Sequence, residues 1–226
     1  MIRPRQRRSR LVLSLLVAAV WGMPGEASGG SIDTSRLEQP WPKRLVRETE
    51  VSRYAVQWYQ RLDRAEGLIF GVRFTTPTDR QTTWTLATDF KGVGRLTPGV
   101  TAVRYLEQTP TRQVIQIDVR VLWKSIQLNF EIEQEPPDVL RFRLVNELLG
   151  EYRGVMRLQD PSGEARSSEP AHTQVEMSTW LKPAVPVPLT LLAVVERIVL
   201  LQGTREFLET CERTFEGDAS QGDAGL

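Results

Sequence analysis

The sequence predicts an α+β domain: a curved antiparallel sheet of about six to seven strands wrapped around a long C-terminal helix. Two short helices follow the first extended segment. Three observations carry this prediction. Short runs between residues 54 and 181 alternate apolar and polar side chains at period two. Leu189 to about Thr214 carries an apolar stripe at helical spacing. The alternating runs leave one dry face, which must be buried, and the C-terminal helix is the best cover the sequence offers.

The elements follow in order. Tyr54, Val56 and Trp58 share one face of an extended segment, and Leu68, Phe70, Val72 and Phe74 share a face of the next. Asp63 to Gly67 reads as a turn or bulge between them. Pro77 closes this stretch, and Thr78 or Asp79 caps a short helix through about Ala87. A second short helix or turn ends at Pro98-Gly99. Ile115, Ile117, Val119, Val121 and Trp123 then share a face. The parity flips at Lys124-Ser125, so that Ile126, Leu128, Phe130 and Ile132 are in phase. Such a flip requires a turn or a bulge. Pro136-Pro137 ends that strand. Leu140, Phe142 and Leu144 form the next dry face, and Tyr152, Met156 and Leu158 another, up to the turn Asp160-Pro161-Ser162-Gly163. Val175, Met177 and Leu181 mark a last strand. Leu191, Val194, Val195, Ile198, Leu201 and Leu208 form the helical stripe after Pro186 and Pro188.

The ends divide the chain further. Residues 1–27 read as an export signal: arginines at 3, 5, 7, 8 and 10, an apolar run from Leu11 to Trp21, and small side chains at Gly25 and Ala27 before a cut at Ser28. The run is short of the roughly 20 apolar residues that span a bilayer. An uncleaved membrane anchor is the alternative. Residues 28–53 read as a linker or N-terminal arm, 54–215 as the domain and 216–226 as a disordered tail. The expected location is therefore outside the cytoplasm, in the periplasm.

Charge and composition exclude several functions. The chain of 226 residues has 29 basic and 28 acidic side chains. Residues 1–27 hold five arginines and Glu26, so the remainder carries 24 basic against 27 acidic groups, a net −3. That balance offers no general case for nucleic-acid binding. One Cys and one His are too few for a zinc cluster or a disulfide framework, and no metal or cofactor is expected. Cys211 reads as a buried, inert thiol, and His172 as a surface residue on the outward phase of its strand.

The order of elements, with the residues in it, resembles the START and polyketide-cyclase-like superfamily, also called the SRPBCC or helix-grip fold, in its quinone-binding (coenzyme Q) and cyclase-type branch. Trp84-Thr85-Leu86-Ala87-Thr88-Asp89-Phe90 followed by Leu96-Thr97-Pro98-Gly99-Val100 is similar to the pattern of that superfamily's first helices. Tyr152-Arg153-Gly154-Val155-Met156-Arg157-Leu158 is similar to its sixth strand. His172-Thr173-Gln174-Val175-Glu176 stands where members often have Gly-Thr-x-Val; the Gly is absent here. The likeness spans about residues 54–214. It implies a deep apolar cavity between sheet and long helix that holds lipids, sterols, quinones or polyketides.

The inward faces test this independently. Besides the apolar positions above they hold Gly154, Thr173 and Thr179, and Tyr152 is their only titratable group. General acid–base catalysis wants a group titrating near the working pH, which an unaided phenol does not provide. The sequence thus favours a carrier for a hydrophobic small molecule. Its pocket candidates are Val119, Trp123, Phe130, Phe142, Tyr152, Met156, Met177, Leu191, Val195 and Ile198, with an entrance loop at Leu96, Pro98 and Gly99. No catalytic residue is assigned. Two alternatives stand: a cyclase or aromatase with an inward acid or base that the parity misses, and a module at the membrane with a solid core. Asp89 reads as a cap between the short helices. Glu196-Arg197 interrupts the apolar helix, which either faces the interior or presents a second face to a membrane or subunit. The oligomeric state stays open.

Overall fold

The computed structural model describes residues 31–63, 67–97, 99–121, 124–145, 150–161, 172–184 and 188–222. Nine antiparallel strands form one sheet among them: β1 (Arg47–Val51), β2 (Tyr54–Asp63), β3 (Gly67–Thr76), β4 (Val100–Gln108), β5 (Arg112–Val121), β6 (Lys124–Glu135), β7 (Val139–Leu144), β8 (Glu151–Gln159) and β9 (Thr173–Lys182). The helices are α1 (Arg80–Thr88), α2 (Phe90–Leu96) and α3 (Leu189–Gly222). The strand order is β1-β2-β3-β9-β8-β7-β6-β5-β4. The chain builds one edge with β1 to β3, crosses through α1 and α2 to the opposite edge, and returns by short reversals until β9 pairs with β3. The curved sheet grips α3, which packs chiefly on β3, with β1, β2 and α1 beside it.

The predicted fold class is the observed one, with two more strands than expected. Each missed strand lies at an edge of the sheet. β1 (RETEV) is charged and lacks alternation, as suits an edge. It falls within the stretch read as linker, 28–53. β4 has register shifts between Val100 and Ala102 and between Tyr105 and Glu107, so its pattern slips out of phase twice. The helix continues past Thr214 to Gly222, into residues read as a disordered tail. The flip at Lys124-Ser125 is a chain reversal, because Val121 pairs with Lys124 across β5 and β6. Trp123 lies outside the described residues.

The dry face is continuous. Val56, Trp58, Phe70, Val72, Phe74, Ile115, Ile132, Leu140, Leu158 and Val175 join Leu200 and Leu208 of α3 and Trp84 of α1 in one core. Asp79 caps α1 by accepting from the Thr82 backbone N–H at 2.9 Å, and Asp89 accepts from Gly92 N–H at 2.9 Å at the start of α2. Cys211 is fully buried, and burial pushes its thiol up to about 11.

The opposite face is not uniformly wet, which corrects the one-sided reading. Tyr59, Ile69, Val155 and Trp180 form a second apolar cluster there, covered by Leu37 and Trp41 from the arm. Residues 31–46 cross the back of the sheet as a strap. The Trp41 indole donates to Glu176 at 2.8 Å, and Arg73 both pairs with Glu176 and stacks 4.4 Å over the Trp41 ring. Further along, Ile32 N–H donates to Glu133 at 3.1 Å, and Arg157 reaches Glu38 at 3.2 Å. Beside the strap, Glu131 is only 2% exposed and takes Arg112 at 2.8 Å and Arg143 at 2.5 Å. Two guanidinium groups thus flank one buried carboxylate on the back of the sheet.

Candidate functional site

The site is built from β8, β9 and the first turns of α3. The Glu196 carboxyl comes down from α3 onto the inner face of the sheet. The Tyr152 hydroxyl of β8 donates to its Oε1 at 3.1 Å, and the Thr179 hydroxyl of β9 donates to the same oxygen at 3.0 Å. The second oxygen, Oε2, has no hydrogen-bond partner among the described residues. Burial raises the Glu196 carboxyl above the usual carboxylate range, and the two hydroxyl donors offset part of that rise. Burial drives the Tyr152 phenol well above its ordinary value, and the neighbouring carboxylate adds to the rise.

The expectation of a charge-free lining is therefore overturned. Among the described residues the inner strand faces carry no carboxylate, with Tyr152, Thr173 and Thr179 turned inward. The acid comes from the helix. Strand parity carries no information about the helix phase, and residues 189–201 are apolar nearly all round, so the stripe does not fix which side faces inward. The signal that could have found Glu196 is its isolation: a single carboxylate in an apolar run that a buried helix holds only with a partner.

An aromatic wall stands next to this polar cluster. Phe130, Phe142 and Tyr152 meet at ring distances of 6.0 to 6.3 Å. Phe142 lies over Gly154, its cross-strand partner; a Cβ there would come within 2.0 Å of the ring. Met156 and Met177 face each other across β8 and β9.

The helix packs on β1, β2 and β3 and does not cover this wall fully. Glu196, Val199 and Gly203 fall on one stripe of α3, at i, i+3 and i+7. Glu196 fixes the direction of that stripe toward β8 and β9. Yet Val199 is 42% exposed, and a Cβ built on Gly203 meets nothing within 4 Å. Phe130, Phe142, Tyr152, Met156 and Met177 also keep accessible surface, although they lie on the gripped side of the sheet. Accessible surface on both walls shows that α3 does not close over this part of the sheet.

The remaining candidates are placed as follows. Val119 is half-buried on β5, in phase with Ile115 and Ile117. Val195 is buried and Leu191 half-buried on α3. Ile198 is a correction: two residues from Glu196, it points to the far side of the helix and is exposed. Val199 and Gly203 occupy the inward stripe instead. Gly99, at φ 91°, opens β4 just after α2, which ends at Leu96. Pro98 and the Leu96 side chain lie outside the described residues. For the cyclase alternative, an inward Arg73, Arg104 or Glu147 would have supplied the missing group; Arg73 and Arg104 pair with Glu176 and Asp118 instead, and Glu147 lies outside the described residues. His172 is exposed, as expected.

A sheet gripping one helix across an apolar gap, with one polar cluster inside it, defines the helix-grip class of hydrophobic-ligand-binding and cyclase-type proteins. Within that class the chain belongs to the polyketide cyclase/dehydrase and lipid transport family, which matches residues 76–208. Solved structures share the fold. A STAR-related lipid transfer protein from Xanthomonas axonopodis superposes with a TM-score of 0.59 at 12% identity, covering 74% of this chain and 98% of that one. The Zhui aromatase/cyclase from Streptomyces sp. R1128 gives 0.54 at 16% identity, over 64% and 93%. A START superfamily protein from Mycobacterium smegmatis gives 0.54 at 13%, over 65% and 98%. A search of curated protein sequences found no match.

Proposed function

We propose that the chain is an exported carrier for a hydrophobic molecule, of lipid, quinone or polyketide type, that bears one polar group. The observation that carries this reading is the Glu196–Tyr152–Thr179 cluster beside the Phe130–Phe142 wall. The apolar body of the guest lies against the wall, where burial contributes about 25 cal/mol per Å² before ordering costs. Its polar end meets the unpartnered Oε2 of Glu196. A raised carboxyl is protonated over a wider pH range and so donates a hydrogen bond to a carbonyl or accepts one from a hydroxyl.

Extraction of the purified protein followed by mass spectrometry tests the carrier reading. An apolar compound with one polar terminus is expected, and Glu196→Leu should lose it while keeping the fold. Protein that is consistently empty, and takes up no fluorescent fatty acid or quinone, overturns the reading. The export signal at residues 1–27 supports the location. N-terminal sequencing of protein from fractionated cells should begin at Ser28 in the periplasm; a cytoplasmic chain beginning at Met1 overturns that part.

Glu196 also favours a second reading, a cyclase-type enzyme. A half-buried carboxyl with a raised proton affinity and an oxygen without a partner among the described residues is the acid or base that such chemistry needs. Incubation with the extracted compound or a polyketide-like chain separates the two by chromatography and NMR: a carrier returns its guest unaltered, and a cyclase returns a ring-closed isomer or its dehydration product.

A further inference from the structure

Arginine usage on this protein is uneven. Nine arginines each sit within 4.0 Å of a carboxylate. Arg44, Arg47 and Arg197 have no carboxylate partner among the described residues, and they gather in one place. Arg47 and Arg197 stack on the same indole, Trp58, at 5.4 and 5.6 Å. Arg44 and Arg47 line a groove of about 210 Å³ with Leu45, Trp58, Gln60 and Leu62. The groove abuts α3, because the Gln60 side chain donates to the Ala193 carbonyl at 2.6 Å.

Aliphatic side chains share this face. Leu45 and Leu62 flank the groove, and Val194 and Ile198 follow on the outward side of α3; all four are 37–45% exposed. The nearest carboxylates of β1, Glu48 and Glu50, pair in register with Gln57 and Ala55 and so project from the opposite face of the sheet, away from Arg47. One face thus combines unpaired positive charge with exposed aliphatic surface. Neighbouring carboxylates do not neutralise it.

We propose that this face docks on an anionic phospholipid bilayer. The guanidinium groups meet lipid phosphates, while Leu45, Leu62, Val194 and Ile198 enter the interfacial layer. Guanidinium geometry suits phosphate, and an aliphatic patch beside it has no use for a free phosphate ion. No helix among the described residues is long and apolar enough to cross a membrane, so contact here is peripheral. The surface lies on the far side of α3 from the Glu196 oxygens and stands independently of the carrier reading.

Vesicle flotation of the isolated protein tests this. The protein should partition onto phosphatidylcholine vesicles containing phosphatidylglycerol, not onto phosphatidylcholine alone, and raised salt should release it. Each surface cation adds about fivefold, so the triple variant R44Q/R47Q/R197Q should lose on the order of 100-fold in partitioning. Val194→Asp with Ile198→Asp should lose binding without touching the arginines. Circular dichroism and thermal melts keep folding failures apart from binding failures. Glu196→Gln should bind vesicles as wild type does, whatever becomes of its ligand. Equal partitioning onto both vesicle types, or an undiminished triple variant, overturns the proposal. So does binding of inorganic phosphate with no partitioning onto vesicles.

Discussion

Substitution of Gly203 probes the gap under α3 from its helical wall. Glycine costs about 1 kcal/mol relative to alanine in a helix interior. That cost is recovered on substitution only where a methyl group has room. A Cβ at Gly203 meets nothing within 4 Å, although the position lies on the same stripe as Glu196. Gly203→Ala should therefore stabilise the fold by about 1 kcal/mol, raising the melting temperature by about 2–4 °C for a domain of this size. Urea denaturation gives the free energy, and the slope should not change. Gly203→Phe then places a ring in the same space. The fold should tolerate it, and uptake of a fluorescent fatty acid should fall at least tenfold because the guest's volume is taken. Destabilisation by Gly203→Ala would refute the argument, since it would mean that the glycine serves close approach. Undiminished uptake by Gly203→Phe would refute it equally.

Four further outcomes follow. Glu196 has a raised proton affinity in the fold, so its contribution to stability is present below the ordinary carboxylate value and is lost as pH rises through the raised folded value. Denaturation curves across that range should show this loss in wild type and not in Glu196→Gln. Gly154→Ala drives a methyl group into the Phe142 ring and should cost about 1–3 kcal/mol in the same assay. Glu131→Ala leaves Arg112 and Arg143 facing each other without their buried counter-ion and should cost about 3–5 kcal/mol. By contrast, the more exposed Arg104–Asp118 pair should cost about 0–1 kcal/mol when Arg104→Ala breaks it.

The sequence made the centre of the sheet legible and its margins obscure. From β5 to β9 period two places the inner-face side chains of the described residues correctly, while Val155 and Trp180, buried on the back of the sheet, escaped it. β1 and β4 escaped because edge strands answer to charge and bulges rather than to a dry face. The strap was hidden for a related reason. Leu37 and Trp41 are isolated apolar residues whose partners, Tyr59 and Trp180, lie elsewhere in the sequence. The site was half legible. Tyr152 and Thr179 followed from strand parity, whereas Glu196 required knowing the rotation of a helix whose apolar residues surround its axis. Its neighbour Ile198 was misplaced for the same reason.

The strap also sets an order of events. Its seats on Glu133 and Glu176 lie 101 and 135 residues further along the chain. During synthesis from the N-terminus, Ile32 and Trp41 emerge long before anything exists for them to hold. The back of the sheet therefore closes only once its last strand is in place. A product cut short before β9 would leave Trp41 and Leu37 without Trp180 and Glu176, exposing apolar surface that the finished copy hides.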